Sequence, residues 1–437
     1  MKTIATFLLA LASLASAFNF PVLKPANLPL YDEAISMAYA SVLVYDIATI
    51  TKEARKQKVA LQIPADYPLD EQGLARFADE NIDFRGLNGD DGLSFSQITN
   101  FLAANNKDLI DTDKIMVDDF EQDVIGLLSK ANNQAKDNNE RIYLECFESL
   151  SRKFSCVYGI VKDKARKQII IIFRGSTAVG SFEGRDWITN ANVRLADLRT
   201  PKLIQDKMDG RLKKRVLVHE GYYNYLFDNK RLDGDQQFDK IEKTIKELLT
   251  GEKGYSVHVT GHSLGGALAS LFAFKLAGRN VDWLPRPVTC ISYASPRFGT
   301  SSVRTAHEQL EKEGLLRHLR INTAEDIVPT MLAASHFTVP SRRKMLKHVG
   351  LNLRLKKSGY DLIHTSKLTG FSTRLNNMLK NTILKPVWKF MTNHMMPLHV
   401  KRMNKNKAEL SKVTLDGLYK DDNIVGKDFK VVSVESK

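Results

Sequence analysis

Ser263 is the residue of this 437-residue chain whose surroundings point most directly to chemistry. It stands at the centre of Gly261-His262-Ser263-Leu264-Gly265, which fits the pattern G-x-S-x-G. A serine attacks a carbonyl group when a nearby base takes its proton, so its hydroxyl must stand clear of the chain on a sharp turn. Side chains at positions 261 and 265 would crowd such a turn, and both positions are glycine. The pattern therefore predicts a nucleophilic serine for acyl transfer.

The segments on either side of Ser263 predict the strand and the helix that this turn must join. Before the turn, Val257 and Val259 alternate with polar residues, which is typical of a strand. After it, apolar residues recur at helical spacing and predict a buried helix face, with Gly278 as a stop. These residues are Leu264, Ala267, Leu268, Leu271 and Phe272. The N-terminus of that helix would favour negative charge developing beside Ser263.

The hexapeptide G-H-S-L-G-G over 261–266 resembles the corresponding segment of the class 3 lipase family, the α/β-hydrolases related to fungal triacylglycerol lipases. Four further segments resemble the motifs of that family in the same order: Phe173-Arg-Gly-Ser176, His219-Glu-Gly-Tyr222, Ser295-Pro-Arg-Phe-Gly299 and Asp326-Ile-Val-Pro329. The resemblance implies the α/β class, with a central, mostly parallel sheet covered by helices on both faces. A helical insertion near the N-terminus and a basic C-terminal extension would be additions to that fold.

The resemblance also implies roles for individual residues. Ser263 would be the nucleophile and Asp326 the acid of a catalytic triad. The backbone N–H groups of Ser176 and Leu264 would form an oxyanion hole. A mobile lid over about 179–190 would bring Phe182 and Trp187 to the substrate. No metal ion or organic cofactor is implied.

The third member of the triad should be a histidine after Asp326, because the order along the chain in this fold is Ser, Asp, His. The candidates are His336, His348, His364, His394 and His399. His394 lies in a segment that resembles the last family motif, D-H-x-x-x-Y/L, although Asn393 replaces the aspartate and Pro397 is unexpected. We therefore assign His394, with His399 as its nearest alternative.

The implied function is a serine ester hydrolase, a lipase that cleaves fatty-acyl esters of acylglycerols at a lipid interface. A phospholipase A or galactolipase that acts on polar membrane lipids is an alternative. A catalytically inactive lipid-binding protein is an alternative of a different class. Nucleic acid is not an expected partner.

Residues 1–17 predict a signal peptide, because Lys2 precedes an apolar run from Phe7 and Ala15-Ser-Ala17 fits a cleavage site. We expect entry to the secretory pathway and secretion. Phe18 directly after that site also resembles the plastid-import signal of algae with secondary plastids. A plastid location through a bipartite signal is therefore an alternative.

The remaining chain divides by composition and motif content. The acidic stretch over 47–140 lacks the family motifs and is interpreted as a helical insertion. The full division is 1–17 (signal peptide), 18–46 (N-terminal segment and first helix), 47–140 (insertion), 141–412 (lipase domain, with an insertion over 356–392) and 413–437 (peripheral tail). The last 97 residues contain 21 Lys and Arg and 7 Asp and Glu, so they carry the whole net charge of +14. This basic region suits an anionic membrane surface, and an ordinary solvated surface explains it equally well.

Composition and motif searches exclude several other classes. No uninterrupted apolar run reaches the 18 residues that would indicate a transmembrane helix. A calcium loop around Gly92 fails because Leu87, Gly89 and Ile98 occupy ligand positions. Three cysteines do not make a disulfide scaffold: Cys146 and Cys156 could pair, and Cys290 is expected to be a buried thiol.

Overall fold

The computed structural model describes residues 28–41, 143–147, 158–163, 166–175, 194–227, 237–326, 328–331, 345–364, 393–421 and 432–434. The predicted signal peptide, the insertion over 47–140 and the lid over 179–190 lie outside these residues. The same holds for Ser176, for Cys156 and for His336.

A nine-stranded sheet organises the described part of the chain. Its strands are β1 (Tyr143–Phe147), β2 (Tyr158–Asp163), β3 (Gln168–Phe173), β6 (Ser256–His262), β7 (Val288–Tyr293), β8 (Leu316–Thr323), β9 (Leu351–Leu355), β10 (Tyr360–His364) and β11 (Val432–Val434), and they lie side by side in this order. The central strands from β3 to β9 are parallel, and the pairs at both edges are antiparallel. A separate antiparallel pair joins β4 (Leu195–Arg199) to β5 (Arg215–His219). This mostly parallel sheet is the one predicted for the α/β class.

Helices follow most of the central strands. They are α1 (30–41), α2 (Glu220–Phe227), α3 (Gln237–Leu249), α4 (Leu264–Ala277), α5 (Ser301–Lys312), α6 (Val328–Met331), α7 (Met396–Lys405), α8 (Lys407–Leu410) and α9 (Leu415–Lys420). Two short 3₁₀ helices span Lys202–Lys207 and Gly210–Lys213. None of the described helices has the length and apolar content that crossing a bilayer requires.

Two buried clusters, one on each face of the sheet, explain why β3 is apolar throughout. Ile169, Ile171 and Phe173 belong to the first cluster, with side chains from α2, α3, α4 and α5. Ile170 and Ile172 belong to the second cluster, with side chains from α1, α7 and α9. Successive residues of a strand point to opposite faces, so a strand covered on both faces needs apolar residues at every position.

The helix after Ser263 is more deeply buried than its spacing predicts. The sequence indicates one apolar face, whereas α4 is buried around almost its whole circumference. It contacts the strands β3, β6, β7 and β8 and the helices α2 and α5. The alanines and glycines between its larger apolar residues allow this close packing.

The insertion predicted over 356–392 is wrong at its beginning. Residues Tyr360–His364 form β10, which pairs with β9 in the central sheet, so that Leu362 lies opposite Leu353. The turn between the two strands contains Lys356 and Lys357, and its charge obscured the alternation that resumes at Tyr360. Residues 365–392 lie outside the described part of the chain.

The peripheral tail predicted over 413–437 is also wrong in its described part. Leu415 is fully buried and Leu418 is 5% exposed, both in the second cluster. The side chain of Thr414 accepts a hydrogen bond from the backbone N–H of Gly417 and caps α9. Further on, Val432–Val434 pairs with β10. Two leucines three residues apart are too short a pattern to stand out in a charged segment, although they suffice for one helical turn on the core.

Candidate active site

Ser263 lies at a sharp turn between the end of β6 and the start of α4. Its φ of 58° and ψ of −126° are a backbone conformation that non-glycine residues rarely adopt. Strain of this kind costs about 1–3 kcal/mol and persists only where the surroundings hold it. The backbone N–H of Ser263 donates to Tyr293 O at 2.9 Å, and Ser263 O accepts from the N–H of Gly266 at 3.0 Å. The neighbouring strand and the first turn of α4 therefore hold the serine in its strained conformation.

Both glycines that flank the turn are required by space. A Cβ at position 265 would lie 2.0 Å from Phe173 O, and one at 261 would lie 2.5 Å from the backbone of Gly265. Real Cβ atoms do not approach backbone atoms so closely, so the turn packs directly against the end of β3. This confirms the spatial reason that the sequence pattern indicates for the two glycines.

The two backbone N–H groups expected to form the oxyanion hole belong to segments that start beside the turn of Ser263. Leu264 is the first residue of α4, and the first N–H groups of a helix have no partner within it. Phe173 lies opposite Gly261 in the parallel pairing of β3 and β6, so the chain leaves β3 beside the turn. It continues through Arg174 and Gly175 towards Ser176, which lies outside the described residues, as do Phe182 and Trp187.

Asp326 and His394 form a buried hydrogen-bonded pair. His394 Nδ1 lies 2.9 Å from Asp326 Oδ2, and each residue is 5% exposed. A carboxylate oxygen accepts, so the proton is assigned to Nδ1, which leaves the lone pair on Nε2 as a general base requires. The other oxygen, Asp326 Oδ1, accepts from the backbone N–H of Val328 at 2.9 Å.

The imidazole of His394 also lies beside the serine turn. Its ring centroid is 4.7 Å from that of His262, the residue that directly precedes Ser263. In addition, His262 Nε2 donates to the backbone carbonyl of His394 at 2.8 Å. The structure therefore brings the predicted acid and base next to the predicted nucleophile.

The other described candidates for the triad histidine have different partners. His399 Nδ1 donates to Met395 O, one turn earlier in the chain, and burial lowers its pKa to about 4. His348 lies before β9 and donates to Pro329 O. His364 ends β10 and contacts Glu311. Among the described candidates, His394 is the one hydrogen-bonded to Asp326, which supports His394 over His399.

Pro397, which is unexpected in the family motif, has a structural explanation. It lies in the first turn of α7, which begins at Met396. At this position a backbone N–H group would have no hydrogen-bond partner within the helix, so a proline, which has no N–H group, loses nothing. Its fixed φ also suits the helix. The departure from the motif is therefore compatible with His394, which lies one residue before the N-cap Met395.

Several residues that the sequence did not single out hold the His394 segment in place. The hydroxyl of Thr323 donates to Asn393 O at 2.7 Å. Arg402 Nη1 donates to Glu325 Oε2 at 2.6 Å and to Leu355 O at 2.9 Å, which fastens α7 to the segment that carries Asp326. No motif marks these contacts, because each joins residues that are close only in the fold.

A strained serine between a parallel strand and a helix, followed in the chain by a buried Asp–His pair, defines the α/β-hydrolase class. Residues 170–336 match the family model described as Lipase (class 3). This stretch contains all five segments that resemble the motifs of the class 3 lipase family.

Several plant proteins are similar to part of the chain. Phospholipase A1-II 3 of Oryza sativa subsp. japonica is 32% identical over 194 residues, which are 41% of this chain and 42% of that protein. Galactolipase DONGLE, chloroplastic, of Arabidopsis thaliana is 26% identical over 45% of this chain and 42% of its own length. Triacylglycerol lipase OBL1 of Arabidopsis thaliana is 23% identical over 48% and 42%. The chain thus spans about two fifths of the length of the curated relatives it matches.

Among solved structures, the mono- and diacylglycerol lipase from Aspergillus oryzae aligns with 63% of this chain and 87% of that chain. The sequence identity is 19% and the TM-score is 0.39.

Proposed function

We propose that the protein is a serine ester hydrolase, a lipase that cleaves fatty-acyl esters of acylglycerols through Ser263, Asp326 and His394. The observation that carries this proposal is the buried hydrogen bond between His394 and Asp326 beside the strained turn of Ser263. The match of residues 170–336 to the family model described as Lipase (class 3) supports the reaction class.

The proposed reaction is a two-step acyl transfer. His394 Nε2 takes the proton of Ser263 as the serine oxygen bonds to the ester carbonyl carbon. Asp326 stabilises the resulting imidazolium, which then gives its proton to the leaving alcohol. Water activated by His394 attacks the acyl-enzyme, and the fatty acid leaves as the serine regains its proton.

The oxyanion that forms in each step needs donors in place before the reaction. We assign the backbone N–H groups of Leu264 and Ser176, and each donor of this kind typically contributes about 3–4 kcal/mol. The position of Leu264 at the start of α4, and the course of the chain from β3 towards Ser176, support this assignment. A lid over 179–190 with Phe182 and Trp187 remains part of the proposal.

The test is the substitution Ser263→Ala. We expect ester hydrolysis to fall by roughly 10⁴–10⁶-fold, as in other serine triads, with thermal stability nearly unchanged. A fluorophosphonate probe should label the wild type and not the variant. The matched control Ser411→Ala lies outside the site and should keep full activity. A Ser263→Ala protein that retains a tenth of the wild-type rate would disprove the nucleophile, and an unlabelled, inactive wild type would favour the lipid-binding alternative.

A phospholipase A or galactolipase is the second candidate, and the names of two relatives favour it: Phospholipase A1-II 3 and Galactolipase DONGLE. Incubation of the purified protein with a mixed lipid extract, with products identified by mass spectrometry, separates the candidates. Release of lysophospholipid or lysogalactolipid would replace the acylglycerol proposal, whereas loss of triacylglycerol alone would support it.

We also propose that the basic C-terminal region binds anionic membranes. Exposed lysines on the described part of this region support the proposal: Lys401, Lys405, Lys407, Lys412 and Lys420. Binding to anionic vesicles should exceed binding to neutral ones and should weaken with salt, which screens exposed charges over about 10 Å at 0.1 M.

For localisation, we propose entry to the secretory pathway through residues 1–17 and secretion. The relative named "Galactolipase DONGLE, chloroplastic" supports the plastid alternative. A fluorescent protein fused behind residues 1–30 would distinguish the two, because only the bipartite signal carries the fusion into the plastid.

A further inference from the structure

His262 makes contacts that the acyl-transfer scheme does not use. Its side chain is buried, with 6% exposed, although it lies next to the partly exposed Ser263. Nε2 is 2.8 Å from the backbone carbonyl oxygen of His394. The two rings are 4.7 Å apart and tilted by 40°. The ring centroids of His262 and His399 are 6.3 Å apart, and the two rings are nearly perpendicular. The residue before the nucleophile is therefore packed against the residue that activates it.

The chemistry of the acceptor fixes the form of His262. A carbonyl oxygen only accepts, so His262 must carry a proton on Nε2. Burial holds the pKa of His262 well below its ordinary value, and neighbouring His394 and His399 lower it further. His262 is therefore a neutral donor. A neutral side chain adds no repulsion to the imidazolium that forms on His394 during the proposed reaction.

The carbonyl that His262 holds is one of two consecutive carbonyls held by side chains. The preceding one, Asn393 O, accepts from the hydroxyl of Thr323 at the end of β8. The ring of His394 is bonded to Asp326. The preceding peptide thus fixes the base to the end of β8, and its ring is fixed to Asp326, three residues further on. Its own carbonyl is fixed to the turn that carries the nucleophile.

We propose that His262 is a positioning residue that couples the serine turn to the base. Its Nε2–H bond to His394 O sets the distance between His394 Nε2 and Ser263 Oγ, and keeps His394 Nδ1 on Asp326. Because His262 and Ser263 are covalent neighbours, a movement of the turn moves base and nucleophile together. This inference rests on the proposed function for its effect on rate, and on geometry alone for its effect on His394.

Three substitutions separate the hydrogen bond from the ring contact. His262→Phe keeps a ring and removes the donor. His262→Gln carries an amide N–H at the reach of Nε2, whereas His262→Asn carries one that falls short of the carbonyl. Displacing a reacting group by about 1 Å can cost about 10²-fold in rate. We expect kcat for a soluble short-chain ester to fall about 10–100-fold in the Phe and Asn variants with KM nearly unchanged. The Gln variant should recover to within about fivefold of the wild type.

A second measurement does not depend on turnover. In protein with ¹⁵N-labelled histidine, the Nδ1–H proton of His394 bonded to Asp326 should give a downfield NMR signal, assigned by its loss in His394→Ala. We expect this signal in the wild type and in His262→Gln, and its loss in His262→Phe and His262→Asn at the same pH. Thermal melting shows whether each variant is folded, and the Asn variant replaces the Phe variant if the latter does not fold.

The outcomes distinguish this inference from the proposed function. Folded Phe and Asn variants that keep wild-type kcat and the His394 signal would overturn the positioning role and leave the hydrolase intact. Loss of the signal in those variants of a protein that hydrolyses no ester would support the positioning role and reject the hydrolase. If His262→Gln lost as much kcat and His394 signal as the Phe and Asn variants, the hydrogen-bond donor would not be what matters. That result would also overturn the inference.

Discussion

Gly265 shows how one missing methyl group shapes the site. Its backbone lies so close to β3 that an added Cβ would overlap Phe173 O at 2.0 Å, and the obstacle is main chain that cannot rotate away. We expect Gly265→Ala to lower the free energy of unfolding by about 3 kcal/mol, at the upper end for overpacked sites. Because β3 leads towards Ser176, the shift should also abolish ester hydrolysis.

The control is Gly314→Ala. Gly314 has a φ of +65° and open space around its missing Cβ. This substitution should cost only the backbone strain of a left-handed alanine, about 1 kcal/mol, with hydrolysis unchanged. Urea unfolding of both variants checks the two values. An equal cost at the two positions would mean that the space around Gly265 has been misjudged.

At the scale of residues, the sequence predicts the role of a residue well where neighbours in the chain define its surroundings. Ser263 and its glycines follow from the pattern, because the strand, turn and helix are contiguous in the chain. The sequence assigns His394 through its resemblance to a family motif, but leaves His399 as an alternative because Asn393 and Pro397 depart from that motif. The bond to Asp326, across 68 residues, supports His394 through a contact that spacing alone does not contain.

At the scale of elements, Tyr419 fastens α9 to the sheet. Its hydroxyl donates to Glu311 Oε1 at 2.6 Å and accepts from the backbone N–H of His318 at 2.8 Å. Glu311 is buried, and its neighbours His307 and His364 hold its pKa far below the ordinary value against the effect of burial. Removing the hydroxyl would leave a buried carboxylate and a buried N–H each one partner short.

We therefore expect Tyr419→Phe to lower the free energy of unfolding by about 2–3 kcal/mol. A buried polar group that loses its hydrogen-bond partner is no longer compensated for its removal from water. Tyr31→Phe is the matched control, because its hydroxyl donates to the neutral Asn404 Oδ1 at 2.7 Å and should contribute about 1 kcal/mol. Urea titration compares the two. A smaller cost for Tyr419→Phe than for Tyr31→Phe would show that α9 is not fastened by this hydroxyl.

The elements that the sequence predicts well have long patterns. The six apolar-rich residues of β3 and the alternation before Ser263 both define strands in the sheet. By contrast, β10 and α9 are short, and each lies in a stretch dominated by lysine and polar residues. Their few apolar side chains are buried because β10 pairs with the sheet and α9 packs on it. Composition does not reveal these long-range contacts.

At the scale of the whole molecule, buried histidines make stability depend on pH. Burial lowers the pKa values of five of them: His219 (to about 4), His258 (to about 3), His399 (to about 4), His262 and His318. In the unfolded chain each titrates near its ordinary value of about 6.5. Below that pH the unfolded state binds protons that the folded state excludes. Their contribution to stability is therefore present above about pH 6.5 and is lost on acidification towards pH 4.

One buried carboxyl acts in the opposite direction. Burial raises the pKa of Glu33 to about 7, so its contribution is present below about pH 4.5 and is lost as the pH rises towards 7. Between pH 7 and pH 5.5 each histidine counts over only about one pH unit, because its unfolded form takes up protons mainly below pH 6.5, at about 1.4 kcal/mol per unit. Five histidines against Glu33 should therefore make the protein less stable at pH 5.5 than at pH 7, by roughly 5 kcal/mol. Urea unfolding at the two pH values measures this, and Glu33→Gln should show a steeper fall. Equal or greater stability at pH 5.5 would contradict the assignment.

The contact between α1 and the segment before α9 has a consequence for how the protein is made. Leu30 N donates to Val413 O, Pro29 bridges Thr414, and Arg317 links Glu33 of α1 to Asp416 of α9. During synthesis Arg317 is added 284 residues after Glu33, and Val413 is added 383 residues after Leu30. During most of synthesis, or of any passage through a membrane pore, Glu33 therefore lacks Arg317, and the part of α1 that contacts residues 413–418 stays uncovered until the chain is almost complete. Chaperone demand should therefore end late and abruptly, when residues 413–418 emerge.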